Sequence, residues 1–432
     1  MKVKNKRFKI INLGCRVNQF ESNLMHDLLV KNGAINSTTS NDADLIVINT
    51  CSVTNKADKK SLYFIRQSLK QPKHPVVIVT GCFSQWAFAE IKKYGVQIII
   101  GNQYKNDLIA IINAYQKTPI CKVSNIREQK KFSYENEQTS HGDLTRAYIK
   151  IQDGCNYMCS YCLIPYVRGP QRSLAAKIII AQINKLVANG YQEIILTGVN
   201  TAGYNDGKYD FYQLLKLINE LPGEFRIRIS SVEPFQITKK HIDLIVNNPR
   251  FCQFFHLCLQ SGCDQTLKSM NRKYTIKTFS ETVKYIRKLN PLFSITTDII
   301  VGYPTESDAN FQTSLTNIKK IKFAKMHIFP FSVRDHTVAA KLPNIVTPNA
   351  LITRGKIMET LDRENQKLYG EKFINKSVDV IFEKSNLAGW QIGHSEYYFR
   401  VKVKTNKILT GKKYRVKITE IKNNELVGII IK

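Results

Sequence analysis

Three cysteines within eight residues constrain this chain more than any other feature. They stand in Asp153-Gly154-Cys155-Asn156-Tyr157-Met158-Cys159-Ser160-Tyr161-Cys162, directly after a strand-like run, Ala147–Gln152. Spacings of four and three let one loop wrap three thiolates around a single metal centre. A closed structural zinc site wants four ligands, commonly as two CxxC knuckles, and this loop holds one. A 4Fe–4S cluster with three protein ligands instead leaves one iron open for a small molecule. Zinc and a chance group of buried thiols remain the alternatives.

The chain around the loop alternates β and α signals. Over residues 1–120 the Val- and Ile-rich runs Phe8–Leu13, Asp44–Asn49, Val76–Thr80 and Val96–Ile100 predict strands buried on both faces. Stretches of helical spacing, such as Gln19–Lys31 and Asp58–Lys70, separate them. The expectation is a doubly wound parallel sheet. Cys15, Cys51 and Cys82 follow the first three strands, so all three emerge at the carboxyl edge, where such sheets bind ligands. Gly14 and Gly81 precede two of them and permit a tight strand-to-loop turn. Three thiols at one mouth make a second three-ligand cluster site; unrelated core cysteines are the bland alternative.

Residues 121–145 are polar, charged and without periodicity, which reads as a linker. A second α/β series over 146–370 offers six strands: Ala147–Gln152, Glu193–Thr197, Arg226–Ser231, Phe254–Leu259, Ser294–Ile300 and Met326–Phe329. Six units are too few for an eight-fold barrel, so a partial (βα)6 barrel is expected, with a basic helix, Ala350–Tyr369, after it. Residues 371–432 alternate like short strands (Ser377–Glu383, Tyr397–Lys404, Tyr414–Glu420, Glu425–Ile431), with glycines at the turns. That predicts a small antiparallel β-barrel, and its net charge of +7 suits nucleic acid; a merely basic cap is the alternative. The whole chain carries 64 Lys+Arg against 34 Asp+Glu, a net +30, an excess that usually serves a polyanionic partner. No apolar run approaches the roughly 18–20 residues of a spanning helix, and the basic N-terminus lacks a signal-peptide core. A cytoplasmic protein with no membrane partner is expected.

Taken together, these motifs resemble the radical S-adenosylmethionine (SAM) methylthiotransferases. The CxxxCxxC loop, with aromatic Tyr161 before its third cysteine, is similar to the radical SAM pattern, in which the open iron binds SAM. The family's domain order also matches: a three-cysteine domain, a radical SAM domain and a C-terminal TRAM domain. Leu13-Gly14-Cys15-Arg16-Val17-Asn18-Gln19 and Asn49-Thr50-Cys51-Ser52-Val53-Thr54-Asn55 resemble the branch acting on N6-threonylcarbamoyladenosine at tRNA position 37. The resemblance implies an enzyme that forms a C–S bond at carbon-2 of that base. It implies two 4Fe–4S clusters, on Cys15, Cys51 and Cys82 and on Cys155, Cys159 and Cys162, and SAM as methyl donor and radical source. It also implies the anticodon stem-loop of tRNA, a reductase as electron donor and a sulfur source as partners.

Further matches concern SAM. Thr197, Gly198 and Asn200 end the second barrel strand, where the superfamily contacts the SAM amino group; Ser231 and Glu233 close the third, Gln260 and Ser261 the fourth, and the segment Asp298-Ile299-Ile300-Val301-Gly302-Tyr303-Pro304 closes the fifth. Glu233 is expected at the ribose hydroxyls and Gln260 at polar SAM atoms, against the bland reading of strand-end caps. Arg168, Arg172 and Arg272 suit RNA phosphate or a carboxylate equally. The chain departs from the family's usual residues at Cys258, commonly Pro, at Cys263, commonly Ser, and at Thr305-Glu306, commonly Gly-Glu. Cys121, Cys252, Cys258 and Cys263 read as ordinary thiols. The alternatives are isopentenyladenosine as substrate and, in another class, a non-enzymatic Fe–S protein that binds RNA or senses redox state.

Overall fold

The computed structural model describes residues 1–132, 145–343, 345–385, 387 and 389–431. The first strands are β1 (Arg7–Asn12), β2 (Ile35–Asn36), β3 (Leu45–Thr50), β4 (Val76–Gly81), β5 (Ile98–Ile100) and β6 (Ile120–Lys122). They form one parallel sheet in the order β2-β1-β3-β4-β5-β6. The reversal at β1 makes it doubly wound. Helices α1 (Arg16–Lys31), α2 (Asn55–Leu69), α3 (Cys82–Lys92) and α4 (Leu108–Ala114) connect the strands. Two apolar layers form, one around Phe8, Met25, Leu45, Val47 and Ile112, the other around Ile46, Ile48, Ile65, Val79 and Phe83. Every residue of β3 is buried, as its unbroken apolar run requires.

β6 runs into the stretch that composition marks as a linker. Ile120 pairs with Ile98, and beyond it a 3-10 turn, Ile126–Glu128, buries Ile126. Three residues are too few to show periodicity, so the strand has no sequence signature. Residues 133–144 of that linker lie outside the described residues.

The chain continues through β7 (Ala147–Lys150) and the antiparallel pair β8 (Gln152–Asp153) and β9 (Arg172–Ser173), with the one-turn helix α5 (Ile164–Val167) between these last two. Then follow α6 (Ala176–Ala188), β10 (Glu193–Thr197), α7 (Phe211–Asn219), β11 (Arg226–Ile229), β12 (Ser231–Val232) and α8 (Lys239–Val246). The series closes with β13 (Phe254–Leu257), α9 (Asp264–Ser269), α10 (Ile276–Leu289), β14 (Ser294–Val301), α11 (Asp308–Ile321) and β15 (Lys325–Pro330). The parallel orders β11-β10-β7 and β12-β13-β14-β15 make an arc in which β12 continues β11 after one residue. The partial six-stranded barrel is therefore present.

α12 (Pro348–Glu371) leads into a closed barrel in the order β16-β17-β18-β20-β19: β16 (Ser377–Glu383), β17 (Trp390–Ser395), β18 (Arg400–Lys404), β19 (Lys413–Lys422) and β20 (Glu425–Ile430). Four of its seams are antiparallel and one, β18 with β20, is parallel. β17 escapes the sequence reading because Gly393 and His394 interrupt its alternation. That glycine is required: a Cβ there would lie 2.4 Å from the Ile381 carbonyl oxygen.

Internal packing divides the chain into two compact units. One comprises the described part of Met1–Gly142 with Lys150–Ile178 and Ser332–Thr337; the other comprises the described remainder. The CxxxCxxC loop thus belongs to the same unit as the N-terminal sheet, whereas composition sets a domain boundary at 146. Polar side chains explain the difference: Asn102 Nδ2 donates to the Val167 carbonyl at 2.7 Å, and Arg168 Nη1 donates to Glu21 at 2.9 Å.

Candidate iron–sulfur and SAM sites

Register brings Cys15, Cys51 and Cys82 to one edge. Asn12 pairs with Asn49 and Thr50 with Gly81, so the cysteines leave three adjacent parallel strands within three residues of a paired position. Gly81 has φ +104°, and a Cβ on it would meet the Thr50 carbonyl oxygen at 2.3 Å. Only glycine lets the end of β4 close on the residue before Cys51. Cys15 caps α1 and is exposed, Cys82 opens α3 and is buried, and Cys51 is buried between them. Burial, reinforced by the neighbouring Cys82, pushes the Cys51 thiol up to about 12. Such a thiol is inert, whereas metal coordination would draw off its proton.

The second set is built around a sharp turn. Gly154 has φ +69°, and a Cβ on it would sit 2.0 Å from the Pro170 carbonyl oxygen. Cys155 N donates to the Gly169 carbonyl at 3.1 Å, and Cys162 N to the Cys159 carbonyl at 3.0 Å. The donor chemistry fits iron–sulfur ligation. The backbone N–H of Tyr157 points at Cys155 Sγ and that of Ile164 at Cys162 Sγ, each at 3.4 Å, and Val53 N donates likewise to Cys51. A thiol is a weak acceptor; a thiolate or cluster sulfur gains from these N–H groups, and such bonds tune cluster potentials.

The residues expected at SAM lie in the other unit, at or near the carboxyl ends of barrel strands. Thr197 ends β10 fully buried, and neither its hydroxyl nor that of Thr201 has a hydrogen-bond partner among the described residues. A buried hydroxyl left this way calls for a partner, such as a water, an ion or a polar ligand. Gly198 follows directly, and Asn200 is buried beside them. Ser231 opens β12, and Glu233 comes just after its end. Gln260 sits in the left-handed region at φ +67°, bridging to β14 by donating to the Asp298 carbonyl and accepting from Ile300 N, both at 2.9 Å. Ser261 is buried and accepts from Cys263 N at 3.3 Å.

Two side-chain pairings add to the sequence reading. Asp298 lies in the last half of β14, which runs on to Val301, and pairs in register with His327. Its Oδ2 lies 3.2 Å from His256 Nε2, and His256 Nδ1 lies 2.9 Å from Thr296 Oγ1. Glu233 is ion-paired with Arg272, which also donates to the Cys258 carbonyl at 3.2 Å. The Glu233 carboxyl is pushed up by burial, against the pull of Arg272. All three candidate arginines take carboxylates: Arg168 meets Glu21 and Asp153, Arg172 meets Asp153, and Arg272 meets Glu233.

His256 is the residue that sequence reasoning missed. A histidine inside the apolar run Phe254–Leu257 was the available signal, since a buried polar group in a strand needs a partner across the sheet. Cys258, read as an ordinary thiol, shares this neighbourhood: one ligand atom each from His256, Cys258 and Asp298 lies within 4.8 Å of the others. Glu306 is a buried anchor, accepting from Gly302 N at 2.8 Å and from Arg354 at 2.9 Å.

Residues 7–101 match the family model described as Uncharacterized protein family UPF0004, and residues 149–318 match the Radical SAM superfamily. The chain is 36% identical to the threonylcarbamoyladenosine tRNA methylthiotransferase MtaB of Bacillus subtilis, over 94% of this chain and 92% of that one. It is 35% identical to the MtaB of Thermotoga maritima, over 95% and 94% respectively. Among solved structures, the radical SAM methyltransferase TsrM of Kitasatospora setae aligns with a TM-score of 0.58 at 13% identity. That alignment covers 78% of this chain and 77% of TsrM, a likeness of fold. With both family models in order and more than a third of its residues shared along nearly its full length, the chain belongs to the MtaB-type radical SAM methylthiotransferases.

Proposed function

We propose that this protein methylthiolates carbon-2 of N6-threonylcarbamoyladenosine at position 37 of tRNA. The observation that carries the reading is the pair of three-thiol sites, each on a strand-end loop, in a chain similar throughout to MtaB enzymes. Two 4Fe–4S clusters and SAM would supply the sulfur-transfer and radical chemistry. Cys155, Cys159 and Cys162 hold the cluster that takes SAM, and Cys15, Cys51 and Cys82 hold the other.

The chain's own residues bind and orient. The Thr197 hydroxyl, with Gly198 and Asn200 beside it, receives the SAM amino group. Ser231, Glu233, Gln260, Ser261 and Asp298 present polar atoms to the remainder of SAM. Arg272 holds the Glu233 carboxyl in place, and His256 fixes the orientation of the Asp298 carboxylate. The basic terminal barrel, residues 371–432, holds tRNA by its phosphates, which positions the substrate without reading its sequence. A reductase and a sulfur source complete the set of partners, in the cytoplasm.

Mass spectrometry of tRNA nucleosides tests this. Cells lacking the gene should lose 2-methylthio-N6-threonylcarbamoyladenosine and accumulate the unthiolated nucleoside. The wild-type gene should restore the product, and a Cys15/Cys51/Cys82→Ala gene should not. Loss of the isopentenyl-type methylthio nucleoside instead would move the protein to that substrate.

A further inference from the structure

A buried charge network runs beside the first set of thiols. Arg168, six residues beyond Cys162, is 1% exposed. Its Nη1 donates to Glu21 Oε1 at 2.9 Å and to Asp153 Oδ1 at 3.2 Å; its Nη2 donates to Asn18 Oδ1 at 2.5 Å. Asn18 Nδ2 in turn donates to the Thr50 carbonyl at 2.9 Å, one residue before Cys51. Lys105, fully buried, is ion-paired with the same Glu21. Lys150 reaches both Glu21 and Asp153 at 3.0 Å, and Arg172 lies 3.5 Å from Asp153. In these pairs two carboxylates are shared among four cations. Cys82 packs against Leu163 and Val167, and its sulfur is an electrostatic partner of both Arg168 and Lys105.

Concentrating positive charge in a low-dielectric interior is costly unless an anion answers it. We infer that Arg168 and Lys105 are positioning residues that supply the counter-charge for the anionic iron–sulfur group on Cys15, Cys51 and Cys82. Arg168 also ties that group to the loop bearing Cys155, Cys159 and Cys162. The inference rests on the ligand assignment proposed above. A cluster held by three thiolates is anionic and becomes more so when it accepts one electron from an external one-electron reductant. A fixed buried cation therefore favours the reduced form more than the oxidised one.

The test uses the full-length Cys155/Cys159/Cys162→Ala protein, reconstituted anaerobically so that its iron–sulfur signal comes from the other set alone. Iron is measured first, and the midpoint potential is then read by electron paramagnetic resonance in a dithionite titration. Arg168→Met and Lys105→Met should each shift the reduction equilibrium at least tenfold toward the oxidised form, about 59 mV for one electron. Arg168→Lys keeps the charge and should recover most of the shift, although it loses the forked hydrogen bonds to Glu21 and Asn18. A structural role alone would leave the potential unmoved and make Arg168→Lys resemble Arg168→Met in stability. Unchanged midpoints in cluster-bearing variants overturn the inference. So does a shift in Arg168→Lys as large as in Arg168→Met. If Arg168→Met does not fold, Lys105→Met decides by the same criterion. Absence of iron from the parent variant is a separate result, which overturns the ligand assignment and the inference with it.

Discussion

Two buried charge networks, one in each compact unit, solve the same problem differently. In the barrel unit, fully buried Glu193 pairs with Arg226 and Arg228, and Arg146 lies 3.8 Å away. The surplus donors there meet backbone oxygens of the terminal barrel. Arg226 donates to the Asp379 and His394 carbonyls at 2.8 and 3.0 Å, and Arg228 to the Ser395 carbonyl at 2.9 Å. Arg228 also stacks on Phe254 and Tyr398. That network is a structural seam, complete in itself. Around Glu21, Arg172 also donates to backbone oxygens, those of Arg168 and Pro170, but Arg168 and Lys105 stand beside Cys82, one of the proposed cluster ligands. The thiol beside Arg226 and Arg228 is instead Cys252, which belongs to neither proposed ligand set. The contrast separates a charge cluster that joins two barrels from one that lies beside the thiols proposed as cluster ligands.

The largest effect should come from breaking the seam. Glu193→Ala leaves two buried guanidinium groups without their carboxylate, a loss of about 3–5 kcal/mol. Thermal denaturation should show a large fall in Tm, with the potential of the Cys15/Cys51/Cys82 cluster unchanged. A shifted potential with unchanged Tm would invert the comparison.

Glu21→Gln should behave differently. Its cost should be large in iron-free protein and smaller after reconstitution, because the bound anion takes over part of the counter-charge. Equal losses in both forms would make the Glu21 network another seam.

Acid sharpens the same contrast. Burial alone would raise the Glu193 carboxyl, but Arg228 and Arg226 outweigh it and hold the group far below the usual carboxylate range. A depressed folded-state value contributes stability that is fully present above the ordinary glutamate value of about 4.3. That contribution is lost as pH falls toward the folded-state value. Denaturant midpoints between pH 6 and 3 should therefore fall for wild type and stay flatter for Glu193→Gln; parallel curves would contradict the pairing.

The smallest effects belong to the surface of the terminal barrel. Lys404, Lys407 and Lys412 are exposed and form no ion pair among the described residues. Changing them together to Gln should weaken tRNA binding and lower its salt dependence by roughly one unit of slope for each phosphate no longer neutralised. The stability should stay within about 0.5 kcal/mol of wild type. An unchanged salt slope would make this barrel a cap rather than an RNA-binding surface.

Much of this was legible in the sequence because parallel sheets announce themselves. Continuous Val and Ile runs separated by helical spacing fix which strand ends carry Cys15, Cys51 and Cys82. The CxxxCxxC loop is visible without any fold. The partnerships between distant side chains were not legible. Glu21 lies in the helix run Phe20-Glu21-Ser22-Asn23-Leu24, where a carboxylate ordinarily faces water, and its partner Arg168 is 147 residues away. Nothing local in either segment reports burial. The same holds for Glu233 with Arg272 and for Asp298 with His256, where each partner comes from another element of the barrel. Very short strands such as β6 escape because periodicity needs more residues than they have.

The central claim is that one chain carries two independent three-thiol cluster sites, and iron counting tests it most directly. Anaerobically reconstituted full-length protein should hold about eight irons per chain, as two 4Fe–4S clusters. Cys15/Cys51/Cys82→Ala and Cys155/Cys159/Cys162→Ala should each retain about four, with a 4Fe–4S spectrum. About four irons in wild type, all lost on changing Cys155, Cys159 and Cys162 and none on changing Cys15, Cys51 and Cys82, would contradict the account.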